Sequence, residues 1–183
     1  MDGLFEDNQL FMQRESFDYV ITGAAGVSRA DWRITEGKQD VKHLLRSLLT
    51  RFATPGAEFG LVDGQGVHRL DIASAAGSTG KVDLTVSEPG GELVGSAATD
   101  GRKFTVFPTI VLSDGAGEPV GHMTTRRELR AYDVFSQETA VIAFGSSRPV
   151  FGRMVYEVSF TDNVPTRSRV LIVAALIGWD LSR

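Results

Sequence analysis

Three places in the sequence combine residue types and spacing that would support chemistry. The first is Gly77-Ser78-Thr79-Gly80-Lys81, a glycine-flanked lysine of the kind that cradles a phosphate. A phosphate-binding loop needs an earlier glycine, a Ser or Thr after the lysine, and a helix to follow. Here Ala75 and Val82 hold those two positions, and Lys81-Val82-Asp83-Leu84-Thr85-Val86 alternates as a strand does. The stretch therefore predicts an inter-strand loop. The second is the trio His43, His68 and His122, which with the many Ser and Asp residues supplies the types of a hydrolytic triad. No Gly-x-Ser-x-Gly elbow accompanies them, and none of the three has metal-ligand spacing. The acids Asp63 and Asp100 each precede a glycine, and Asp114 and Glu118 flank one, which is turn chemistry. The third is Arg126-Arg127-Glu128-Leu129-Arg130, the densest basic cluster. On a strand, Arg126, Glu128 and Arg130 share one face and Arg127 the other. Arg126, Arg127 and Arg130 thus form the candidate site for an anionic head group or an acidic partner, set against a plain reading as outward-facing charge.

Composition narrows the function classes. The chain has 183 residues, 42% of them hydrophobic, which predicts a single domain over 1–183 with a substantial core. It has no cysteine, so disulfides, thiol nucleophiles and thiolate metal sites are excluded. No secretory signal is visible after Met1, and a cytoplasmic location is expected, free or peripheral to a membrane. The net charge is −4, concentrated in residues 1–18, where Asp2, Glu6, Asp7, Glu15 and Asp18 face Arg14 alone. That balance excludes a nucleic-acid binder, which needs a strongly basic face. No catalytic constellation and no cofactor are expected.

The elements that would position such residues are mostly β. Short β-rich runs meet glycine turns at Tyr19–Ile21 with Gly23 and Gly26, Phe59–Val62 with Asp63–Gly66, and Leu84–Val86 with Pro89–Gly91. The theme recurs at Thr109–Leu112 with Asp114–Gly117, and at Val141–Phe144 with Gly145–Pro149 before Val150-Phe151. Asp-Gly and Gly-Gly between apolar runs mark hairpins, and so many strands suggest a barrel or sandwich. Val41, Leu44, Leu45, Leu48, Leu49 and Phe52 fall on one helical face, predicting an amphipathic helix over 39–52 that ends at Pro55-Gly56. The last feature is Val170 to Ile177, eight apolar residues without a polar break. They are too few to span a bilayer, which takes roughly 20 as a helix. The block is a terminal core element, either a helix or a central strand.

Leu4-Phe5-Glu6, Leu10-Phe11-Met12-Gln13 and Tyr19 before the first glycine turn resemble the opening of phospholipid-scramblase-like and LURP-one-related proteins, of the tubby C-terminal-like superfamily. Leu129-Arg130-Ala131-Tyr132-Asp133-Val134 resembles a later strand of that family. Tyr156-Glu157-Val158, Pro165, Arg167-Ser168-Arg169 and the apolar block closing on Asp180 resemble its ending. The resemblance implies a mostly β, α+β fold: a closed antiparallel barrel of about twelve strands around a C-terminal apolar helix. It departs from calcium-activated scramblases at Thr161–Arg167, where one Asp and one Asn fall short of the oxygen ligands calcium takes. It also lacks their Cys-rich acylation stretch. What it implies about function is a non-enzymatic binding module that contacts an anionic phospholipid surface or a protein partner. A lipocalin-type small-molecule carrier and an uncharacterised hydrolase are the alternatives from other classes.

Overall fold

The computed structural model describes residues 5–15, 18–24, 28–33, 53–54, 57–75, 77–78, 80–101, 108–125, 131–151 and 153–182. Fourteen strands precede one C-terminal helix in these residues. They are β1 (Gln9–Glu15), β2 (Asp18–Gly23), β3 (Ser28–Arg33), β4 (Ala53–Thr54), β5 (Ala57–Asp63), β6 (His68–Ser74) and β7 (Gly77–Ser78). Then come β8 (Asp83–Ser87), β9 (Leu93–Thr99), β10 (Thr109–Asp114), β11 (Pro119–Thr125), β12 (Ala131–Ser136), β13 (Val141–Val150) and β14 (Arg153–Phe160). The helix is Thr166–Leu181.

Alternation of small or apolar with polar residues gives each strand an inner and an outer face. In β8 the inward residues are Leu84 and Val86, and Thr85 points out. In β10 Ile110 and Leu112 point in. Antiparallel pairing carries this face from strand to strand, and β1 pairs with β14 on one side and with β2 on the other. Twelve strands therefore follow one another around a closed ring. Turn glycines hold the reversals: Gly66 and Gly117 have φ of +80° and +84°, a region open to glycine at little steric cost.

The terminal block is a helix, and every residue from Arg169 to Asp180 is buried. It has no polar face because strands surround it. It shares one core with Leu10, Ile21, Leu61, Leu70, Val86, Ile110, Met123 and Val134, all essentially inaccessible.

The architecture expected from sequence is corrected in several respects. First, the strands do not all belong to one barrel: β4 and β7 form a separate two-stranded sheet. The expected loop at Gly77–Lys81 thus begins as a short strand. Second, the helix is not equally sheathed by its ring but lies closest to β8, β9 and β10. Glycine makes that approach possible: a Cβ on Gly178 would sit 2.5 Å from Leu84 Cδ2, and one on Gly95 would sit 2.9 Å from the Leu171 side chain. Third, Gly145–Pro149 is no turn. β13 runs straight through it to Val150, which pairs with Arg153, and the reversal comes only there. Gly145 is a strand residue because the Tyr132 ring fills the space a side chain would take. Pro149 lies within β13 opposite Met154 of β14, near the strand's end at Val150. The helix expected over 39–52 lies outside the described residues.

Candidate functional site

The helix carries one charge near each end, and both are buried. Arg169 lies near its N-terminus and Asp180 near its C-terminus. Each sits at the wrong pole of the helix dipole, which favours acids at the start and bases at the end. Buried charges of that kind persist only with close partners. Arg169 has them: Nε donates to Val164 O at 3.0 Å, and Nη1 to the carbonyls of Phe5, Glu6 and Asp7 at 2.9, 3.2 and 3.0 Å. Its Nη2 donates to Asn8 Oδ1 at 2.9 Å, and the guanidinium lies 4.9 Å over the Phe160 ring. Asp180 accepts from the Tyr19 hydroxyl at 2.5 Å, from Arg14 Nη1 at 3.0 Å and from the Tyr156 hydroxyl. Burial first, and then the Asp180 charge, raise the Tyr19 phenol far above the ordinary tyrosine range. Burial, followed by the Glu157 charge, does the same to Tyr132, whose hydroxyl donates to Glu157 O. Tyr19, whose burial keeps its phenol protonated, joins Tyr156 and Arg14 on the Asp180 carboxylate, and together they lock the end of the helix.

The two locks define the two rims of the ring. At the Arg169 rim lie the turns after β5, β8, β10 and β12 and the approach to the helix. They carry Glu88, Glu92, Glu118, Glu138 and Asp162, and their sequence contains no Lys or Arg. Asp63 and Asp114 end strands at the same rim and serve as turn acids. Asp63 Oδ1 accepts from Gln65 N and Val67 N, and Asp114 Oδ1 from Ala116 N and Glu118 N, all at 2.9 Å. The Val67 N–H foremost, and then Arg69, hold the Asp63 carboxyl below its usual range. A cleft of about 580 Å³ opens here between Leu93, Val120 and Leu171, beside the exposed Arg167–Glu92 pair at 3.1 Å.

The Asp180 rim is different. Lys81 and Arg148 are exposed at it, and Arg14 is partly exposed while it holds Asp180. Thr125 and Ala131, which flank the 126–130 segment, both end at this rim, as do Thr99 and Thr109 on either side of 100–108. Those two segments contain Arg102, Lys103, Arg126, Arg127 and Arg130 against Asp100 and Glu128. The candidate residues Arg126, Arg127 and Arg130 themselves lie outside the described residues, so only the rim from which they depart is fixed.

The remaining candidates separate. Gly80, with φ +82°, donates its N–H to Ser182 O at 2.7 Å, so the would-be phosphate loop caps the helix end, and strand β8 follows it. His68 Nε2 lies 2.9 Å from Asp71 Oδ1 and 3.0 Å from Leu70 O, while His122 stacks on Phe135 at 5.1 Å. They belong to different parts of the wall, and His43 lies outside the described residues. Among the described residues no group of three or more His, Asp or Glu could hold a metal ion. None of their helices is long and apolar enough to cross a membrane. Sequence reasoning missed the locks, although a lone charge at each end of an apolar run was their visible signal.

No family model matches the chain, and no curated protein sequence does either. Among solved structures, the X-ray structure of a protein from Arabidopsis thaliana is similar, with a TM-score of 0.59 and 14% identity. The match covers 96% of this chain and 92% of that one. At such identity the likeness is one of fold alone.

Proposed function

We propose that this domain is a non-enzymatic binding module that meets an anionic phospholipid surface with its Asp180 rim. The observation behind this is the division of charge between the rims. Acids crowd the turns of one, and the connections leaving the other are rich in Arg and Lys. Such a molecule has a small net charge yet a strong preferred orientation in the field of an anionic surface. The filled interior points the same way. A lipocalin-type carrier would need the volume that Val170 to Ile177 occupy, each of them buried. Nothing among the histidines favours hydrolysis over a surface role. We also infer distant membership of the tubby-like superfamily, supported by the order of sequence motifs from Leu4 to Asp180 and compatible with the fold likeness.

Vesicle flotation tests this reading. The protein is expected to float with phosphatidylserine-containing vesicles at low salt and to be released as salt rises, because exposed charge is screened. Equal recovery at every salt concentration, or none with anionic vesicles, would remove it.

A further inference from the structure

Phe151 is the most exposed large apolar residue described, with its side chain wholly in solvent. It occupies one of the two turn positions between the paired Val150 and Arg153, at φ +48°. Two-residue hairpin turns favour Asn, Asp or Gly at positive φ, and a bulky residue there is an outlier. Phenylalanine is thus unsuited to this position both by backbone conformation and by exposure. Strain of that kind directs attention to function.

In the hairpin that carries it, β13 and β14 stay paired as far as Val150 and Arg153. The two strands continue together from Ser147 and Met154 to the tip, with Arg148 and Pro149 exposed on the way. The tip sequence is Arg148-Pro149-Val150-Phe151-Gly152-Arg153, an apolar centre between two arginines. It stands at the Asp180 rim, away from the acidic turns.

We propose that this hairpin tip is the part of the domain that enters the membrane, with Phe151 seated at the level of the lipid head groups and Arg148 beside it on the phosphates. Aromatic rings settle at the membrane–water interface, and arginine stems lie along apolar surface while their heads reach anions. This rests on the membrane reading above and adds the residue that makes contact.

Phe151→Asn is the informative variant, because Asn suits the turn. Its melting temperature is expected to equal or exceed that of the original protein, while binding to phosphatidylserine-containing vesicles falls roughly ten- to hundredfold. Phe151→Trp should keep binding, and Arg148→Gln should weaken it and make it less sensitive to salt. Undiminished flotation of Phe151→Asn, alongside a floating original protein, would overturn the role of the tip and leave the membrane reading standing. An original protein that ignores vesicles but is captured by a protein partner through Phe151 would overturn both.

Discussion

Asp180 is where a single substitution should do most damage. Asp180→Ala removes the acceptor of two buried phenols and the anion facing Arg14, and breaking a buried charged set of this kind costs about 3–5 kcal/mol. Urea unfolding should show it as a lower midpoint with an unchanged slope. Buried phenols also set the alkaline limit. The Tyr19 and Tyr132 phenols are raised in the folded state, so their contribution is complete below the ordinary tyrosine value of about 10. Above it the unfolded chain sheds protons that the folded chain keeps. Stability should then fall by about 1.4 kcal/mol per pH unit for each tyrosine. Tyr132→Phe should flatten that decline in a melting series between neutral and strongly alkaline pH. An unchanged slope would show that Tyr132 titrates freely. Arg169 and Asp180 were both legible in the sequence as charges bounding a greasy run. Their partners were not, because Tyr19 and Phe5 lie at the other end of the chain and no local pattern connects them.

At the scale of elements, the helix and the strands facing it were specified by different kinds of signal. The unbroken apolar block predicted an enclosed segment but left helix and strand open, and the surrounding ring decides for the helix. Three of the five expected hairpins sit where Asp-Gly or Gly-Gly places them, since a turn is a local choice, and the first, expected from lone glycines, is seen in the pairing of β2 with β3. The fifth was misread because Gly145 and Pro149 look like turn residues, whereas both lie inside β13, and Gly145 is explained by a neighbour distant in sequence, Tyr132. Close approach of the helix to β8 and β9 makes two glycines sensitive. Gly178→Ala meets Leu84 Cδ2 at 2.5 Å and Val82 Cγ1 at 3.0 Å, both movable side-chain ends, and should cost about 1–3 kcal/mol. Gly95→Ala meets the Ser113 carbonyl oxygen at 2.3 Å, which is backbone, and should cost more than Gly178→Ala in thermal unfolding. The reverse order would place the helix elsewhere in the ring.

For the whole molecule, the helix supplies an unbroken run of buried residues from Arg169 to Asp180 to the core of the ring. A chain ending at Ser168 should lose its cooperative calorimetric transition and bind a hydrophobic dye. A sharp melt at an unchanged temperature would show that the strands close without it. The charge division between the rims was only half visible in the sequence, which shows clusters but not which connections share an end. The ring order supplies that. It also joins β1 to β14, so the first strand must wait for the last. The ring therefore cannot close before β14 is in place, and its apolar centre stays unfilled until the helix enters it.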